Sequence, residues 1–173
     1  MNKRGQFYFI AAIIIVSIMA SFVLISNYAT SQSSPNIYYL RDEISIESSK
    51  VIDYGIYNNF NSLQIQGNLT SLAEAYINES QNENLYFLLG NSTNMTLVAY
   101  QTVKSNLTIE GVHDYTDLIG TGSIYSQSFT PQGGGVTAIL NGNIHVFDIN
   151  LGENFFFIIS NEKGGQNYTI SSQ

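Results

Sequence analysis

The feature that most constrains this chain is an uninterrupted apolar run near its amino terminus. Residues Phe7 to Ser26 contain no charged side chain over twenty positions. As a helix rising about 1.5 Å per residue, such a run would cross the hydrocarbon core of a bilayer, which is roughly 30 Å thick. The sequence therefore predicts a long hydrophobic amino-terminal helix that first resides in a membrane.

The charges on either side of this run predict its orientation. Lys3 and Arg4 precede it, whereas all thirteen acidic residues follow position 41. Because positive charges are retained on the cytoplasmic side, we expect the amino terminus in the cytoplasm and the remaining chain outside the cell. The alternative is a cleaved secretory signal, whose apolar region usually covers about 7 to 15 residues and ends at a small-x-small site. The run here is longer, and Asn27-Tyr28-Ala29 is a poor cleavage site.

The junction Lys3-Arg4-Gly5-Gln6, followed by the apolar run, resembles the class III signal peptide of archaeal type IV pilins and archaellins. The resemblance covers residues 3 to about 26 and implies that a prepilin peptidase cuts between Gly5 and Gln6, on the cytoplasmic side. A glycine lacks a Cβ, so the peptide bond after it can enter a narrow active site. Residues 1–5 would then be a leader, and residues 6–34 the hydrophobic helix with its linker.

The same resemblance implies that the helix leaves the membrane and packs against identical subunits in a helical filament, with the help of membrane assembly machinery. Many bacterial type IV pilins carry Glu as the fifth mature residue, where this chain has Ile10. The archaeal branch does not require that Glu. A helix that is apolar all round must be buried on every side. The predicted assembly residues are Phe7, Ile10, Ile13, Ile14, Ile18, Phe22 and Ile25.

Residues 35–83 are predicted to be an amphipathic helix followed by a helical and loop connection. Ser34-Pro35 has the pattern of an N-cap followed by Pro at the first helical position. We read Asn58 to Gly67 as a loop and Leu69 to Ser80 as a short helix. The stripe expected to face the core consists of Ile37, Leu40, Ile44, Ser48, Val51 and Gly55.

From residue 84 to 173 the hydrophobic period changes to that of strands, which predicts an antiparallel sheet or small sandwich. Asn141-Gly142 predicts a two-residue type I′ turn, and Phe155 to Ile159 predicts a central strand because it does not alternate. The predicted strands are 85–89, 95–100, 103–109, 123–129, 136–140, 144–151, 155–160 and 167–171. The predicted fold class is therefore α+β, with a long hydrophobic pilin-like amino-terminal helix followed by a mainly antiparallel β head.

Composition and motifs exclude several function classes. The chain has no Cys, which rules out disulfides and thiolate metal sites, and its net charge of −7 argues against nucleic acid as a partner. The sequence contains no nucleophile elbow, P-loop or dinucleotide fingerprint, so we expect no enzyme, cofactor or metal. The spacing of His113, Asp114 and Asp117 matches no metal loop, and we read these residues as a solvated loop. We expect His145 to be a hydrogen-bonded structural residue in a strand.

Six asparagines begin an Asn-x-Ser/Thr sequon with no Pro at the middle position. The chain contains 19 Asn and 31 Ser plus Thr, for which chance gives about three such triplets. An Asn- and Ser/Thr-rich surface also arises where charges are scarce, so the excess is not specific on its own. The N-glycosylation candidates are Asn68, Asn78, Asn91, Asn94, Asn106 and Asn167.

Together, these features predict a structural subunit of an archaeal type IV pilus-like filament at the cell surface. The alternative is a monomeric surface glycoprotein or adhesin that is anchored by the same helix, for which Lys3 and Arg4 would be a topology signal and Gly5 incidental. A pilin-like component of a secretion or DNA-uptake machine has the same sequence features as a filament subunit.

Overall fold

The structure is a computed structural model that describes residues 35–80, 83–163 and 166–172. The described elements are two helices followed by nine strands. The helices are α1 (Pro35–Tyr57) and α2 (Ser62–Glu79). The strands are β1 (Asn84–Gly90), β2 (Met95–Tyr100), β3 (Leu107–Ile109), β4 (His113–Asp114), β5 (Ile124–Phe129), β6 (Gly135–Leu140), β7 (Asn143–Asp148), β8 (Asn154–Lys163) and β9 (Gln166–Ser171).

Helix α1 is described from Pro35 onward, and the residues before it lie outside the described part, so its predicted start at Pro35 stays a prediction. The predicted stripe is confirmed: Ile37, Ile44, Ser48 and Gly55 are buried. Gly55 lets α1 lie close to α2, because a Cβ at this position would lie 2.7 Å from Cγ1 of Ile65.

Helix α2 begins earlier than predicted. The reading of Asn58 to Gly67 as a loop is wrong from Ser62 onward, because a capping box starts the helix there. The Asn61 side chain accepts a hydrogen bond from the Gln64 backbone, 3.0 Å away, and the Gln64 side chain accepts one from the Asn61 backbone. These two bonds satisfy amide groups that an uncapped helix would leave free.

Five strands form one antiparallel sheet in the order β5-β2-β1-β8-β9. All seven residues of β1 are buried, so this strand is covered on both faces. Leu85, Phe87 and Leu89 point to the core shared with the two helices, and the alternate residues Tyr86 and Leu88 point to the other core. The prediction that residues 155–159 form a central strand is confirmed, since β8 lies between β1 and β9.

The remaining four strands form a second antiparallel sheet in the order β4-β3-β6-β7. Its inner face packs on the five-stranded sheet, where Phe147 stacks on Phe156 with 5.0 Å between ring centroids. The turn between β6 and β7 has φ of 49° at Asn141 and 84° at Gly142, which confirms the predicted turn with two positive φ angles. The described elements thus form three layers: helices, five-stranded sheet and four-stranded sheet.

Two predicted strands are too long, and one observed strand was not predicted. The strand predicted at residues 144–151 ends at Asp148, the last residue of β7. The strand predicted from Val103 to Ile109 is limited to Leu107–Ile109, because Thr102, Val103 and Ser105 bond to the side chain of Asn84 instead of to a neighbouring strand. The two-residue strand β4 was not expected. Its side chains are exposed, so it lacks the apolar alternation that identifies a strand in a sequence.

The predicted fold class is wrong in its helical part. Instead of one long hydrophobic helix leading into a β head, the described residues contain two helices of 23 and 18 residues, each with a polar face, followed by the two antiparallel sheets. None of the helices in the described ranges is long and apolar enough to span a membrane. The apolar run from Phe7 to Ser26 lies outside the residues that the structure describes.

Candidate functional site

The most distinctive surface among the described residues is the face of α1 that points away from the core. Tyr39, Ile46 and Tyr57 are separated by 7 and 11 residues, and these spacings return to nearly the same angle on a helix with 3.6 residues per turn. Their exposed fractions are 71%, 56% and 86%. We call these three residues the outer stripe. Large apolar side chains at such exposure mark a surface that favours contact with another molecule.

The outer stripe lies among further exposed apolar and charged groups. Tyr38, Tyr54 and Ile56 are also exposed on α1. The Arg41 guanidinium pairs with Asp42 at 2.7 Å and lies 5.8 Å from the centre of the Tyr38 ring. This surface combines flat aromatic area with several exposed charged side chains, so its large apolar side chains can pack against a partner that also accommodates charge.

A small pocket opens where α1 meets the end of α2. Its volume is about 180 Å³, and it is lined by Tyr39, Leu40, Glu43, Tyr76, Glu79, Ser80 and Glu83. The Tyr76 hydroxyl donates a hydrogen bond to Glu47, 2.8 Å away. Burial, this bond and the neighbouring carboxylates raise the pKa of Tyr76, so it stays protonated. Within the described residues, no group of three or more His, Asp or Glu side chains has a metal-binding arrangement, this pocket included.

The six candidate sequons differ in how free their side-chain amides are. Five of the asparagines are exposed: Asn68 and Asn78 on α2, Asn94 and Asn106 just before β2 and β3, and Asn167 on β9. Asn91 is half-buried, and its Nδ2 donates to Ser62 Oγ at 3.2 Å and to Glu153 Oε1 at 3.1 Å. The Asn91 amide therefore links the start of α2 to the loop before β8, and a glycan there would compete with these contacts.

His113, Asp114 and Asp117, considered above as a metal or acid/base cluster, have different surroundings in the structure. His113 and Asp114 form β4, whereas Asp117 pairs with Lys104 at 3.0 Å. The Thr116 backbone N–H donates to Asp114 at 3.0 Å, and the hydrogen bonds from Thr116 lower the pKa of that carboxyl. Asp114 is thus held by a turn and Asp117 by a surface ion pair, so the three side chains do not share a position for a ligand.

His145 differs from expectation. It lies on β7, and its buried Nε2 has no hydrogen-bond partner among the residues that the structure describes, although we expected a hydrogen-bonded histidine. Burial lowers the pKa of this imidazole. The neutral form is therefore favoured in the folded state.

The predicted cleavage residues Gly5 and Gln6 lie outside the described part of the chain. The same is true of the predicted assembly residues Phe7, Ile10, Ile13, Ile14, Ile18, Phe22 and Ile25. The outer stripe was not anticipated, although the recurrence of Tyr and Ile at spacings of 7 and 11 residues is visible in the sequence. The chain matches no protein-family model, and neither the curated proteins nor the solved structures contain a significant match to it.

Proposed function

We propose that the protein is a structural subunit of an archaeal type IV pilus-like filament at the cell surface. The observation that carries this proposal is the arrangement Lys3-Arg4-Gly5-Gln6 directly before twenty uncharged residues. A basic leader, a glycine and an apolar segment in that order resemble the part of a pilin that is cut and then assembled.

The outer stripe on α1 supports the proposal from the described part of the chain. It lies on the element that follows the apolar segment, and no other part of the chain that the structure describes covers its three side chains. In a filament, neighbouring subunits would cover both the apolar segment and this stripe. Each fully buried large apolar side chain contributes about 1.5 to 3 kcal/mol, from which association and ordering costs are subtracted.

The partners follow from this assembly. A prepilin peptidase would cut before Gln6, which changes the net charge from −7 to −9 because both basic residues of the leader leave. The membrane would hold the subunit until assembly machinery transfers it to the filament. We propose no catalytic activity, because a filament subunit works by packing.

Intact mass and shearing test the proposal together. We expect the mature chain to begin at Gln6 and to be recovered in sheared surface filaments, and Gly5→Leu to block cleavage. Ile14→Asp should remove the protein from filaments without unfolding residues 36–173, since an unpaired buried charge costs several kcal/mol. Ile14→Leu is the matched control, because it keeps apolar volume, and it should assemble.

The competing hypothesis is a surface glycoprotein or adhesin anchored as a monomer. It predicts that residues 1–5 remain on most molecules and that the protein is recovered only as a detergent-solubilised monomer. Filaments that contain none of this chain would contradict the proposed function.

A further inference from the structure

The two-residue turn between β6 and β7 contains the single Asn-Gly dipeptide of the chain, Asn141-Gly142. Both residues are exposed. A Cβ added to Gly142 would meet no heavy atom of a residue beyond its chain neighbours within 4 Å, so no other part of the described chain packs against that side of the turn. The Gly142 backbone nitrogen and the side-chain Cγ of Asn141 belong to adjacent residues, and closing a bond between them forms a five-membered ring.

Two hydrogen bonds connect Asn141 to Asn106, and one of them holds the Asn141 amide oxygen. The Asn106 backbone N–H donates to Asn141 Oδ1 at 2.8 Å, and the Asn141 N–H donates to the Asn106 carbonyl oxygen at 2.9 Å. In the described ranges, neither the Gly142 N–H nor the Asn141 Nδ2 group has a hydrogen-bond acceptor. The Gly142 nitrogen and the Asn141 Nδ2 group are thus both free to react. The Asn141 Oδ1 atom, which would take up negative charge during an attack on Cγ, faces the Asn106 N–H donor.

We propose that Asn141 is a site of spontaneous deamidation through a cyclic succinimide. The Gly142 nitrogen loses its proton to solvent and attacks Cγ of Asn141, and the negative charge that develops on Oδ1 meets the Asn106 N–H. The bond from Cγ to Nδ2 then breaks, and the nitrogen leaves as ammonia after taking protons from solvent. Water opens the ring at either carbonyl, which gives aspartate or isoaspartate. One water enters and one ammonia leaves, so no oxidant or reductant is required.

The two products change the head differently. Aspartate adds one negative charge and keeps an oxygen that can accept from Asn106. Isoaspartate adds a carbon to the main chain of a turn whose two residues have φ of 49° and 84°. Since two-residue hairpin turns depend on these angles, we expect isoaspartate to weaken the pairing of β6 with β7 next to the Asn106 sequon. This inference concerns the described head and does not depend on the proposed function.

Peptide mapping tests the proposal on the full chain in detergent, produced in a host that does not glycosylate it and sampled over time in mildly alkaline buffer. We expect Asn141 to convert to aspartate and isoaspartate about tenfold faster than other exposed asparagines, a ratio that corresponds to about 1.4 kcal/mol in barrier. Asn94 and Asn106 are the internal references, because Met95 and Leu107 follow them. The rate should rise with pH, since the attacking nitrogen must lose a proton.

Asn141→Gly is the matched variant, because glycine accepts positive φ and offers no side-chain amide. Its turn peptide should show no mass change over the same period. Conversion at Asn141 that is no faster than at Asn94 and Asn106, or an Asn141 that stays intact while they react, would overturn the proposal.

Discussion

The side-chain amide of Asn84 donates a hydrogen bond to the carbonyl oxygen of Val103, 2.8 Å away. The same side chain donates to Ser105 Oγ at 2.9 Å and accepts from the backbone N–H groups of Thr102 and Val103 at 2.7 and 3.1 Å. Asn84 is buried at the start of β1, so these bonds replace water for the loop that connects the two sheets. The Asn84 side chain thereby provides hydrogen-bond partners for loop groups that do not pair with a strand.

Replacing Asn84 by Ala should destabilise the head, because it removes the hydrogen bonds that the buried Asn84 side chain makes to Thr102, Val103 and Ser105. Each hydrogen bond contributes about 0.5 to 1.5 kcal/mol net, so we expect a loss of roughly 2 to 4 kcal/mol in the free energy of unfolding. Urea denaturation of a truncated chain, residues 36–173, measures the loss. Asn78→Ala, at an exposed position on α2, is the control and should stay within about 0.7 kcal/mol, the range of ordinary helix propensities. Equal stabilities of the two variants would contradict the role assigned to Asn84.

These contacts also show where sequence reasoning stops. A local signal predicts the turn at Asn141-Gly142, because it depends on the backbone preferences of two residues. The shortening of the third strand depends on Asn84, which lies 19 positions before Val103. Such long-range satisfaction of polar groups leaves no periodic pattern in a sequence.

The helical part illustrates a second limit. The capping box of Asn61 and Gln64 is a local signal for the start of α2, but the surrounding asparagines and Gly67 favour a loop reading. On α1, apolar residues occur on both the buried stripe and the outer stripe. Hydrophobic periodicity alone cannot decide which of the two apolar stripes of α1 faces the core. The answer depends on which other element or molecule covers each stripe.

His145 predicts a dependence of stability on pH. Burial lowers the pKa of its imidazole below the ordinary 6.5 in the folded state, so the unfolded chain binds a proton more readily. The contribution of His145 to stability is therefore present above about pH 6.5 and is lost as the pH falls toward the folded pKa. We expect the urea midpoint of residues 36–173 to fall between pH 7.5 and about 5.5.

A pair of histidine variants separates this effect from general acid sensitivity. His145→Gln should remove most of the pH dependence in this range, whereas His113→Gln, at an exposed position on β4, should retain it. A midpoint that falls equally in both variants would exclude His145 as its source.

The sequons give a prediction about modification. We expect glycans at exposed sites such as Asn94 and Asn106 and none at Asn91, since the Nδ2 of Asn91 is bonded to Ser62 and Glu153. Glycopeptide mass spectrometry of surface material measures occupancy at each site. Asn91→Gln should lower stability whether or not glycans are present, and Asn106→Gln should remove only a glycan. A fully occupied Asn91 would show that its contacts do not govern modification, and six unmodified sites would contradict glycosylation altogether.

The outer stripe gives the most direct link between the described head and assembly. Replacing Tyr39, Ile46 and Tyr57 together by Ser should leave the unfolding free energy of residues 36–173 within about 1 kcal/mol, because exposed side chains contribute little to folding. In the full chain, the same replacement should reduce the yield of sheared filaments and make them dissociate at lower detergent concentration, since apolar area worth several kcal/mol per subunit is removed from the interface. Leu151→Ser is the matched control, because Leu151 is a fully exposed apolar residue on a different part of the head. If the triple variant forms filaments with unchanged yield and detergent resistance, the stripe is not part of the subunit interface. If Leu151→Ser also loses filaments, any exposed apolar side chain has the same effect.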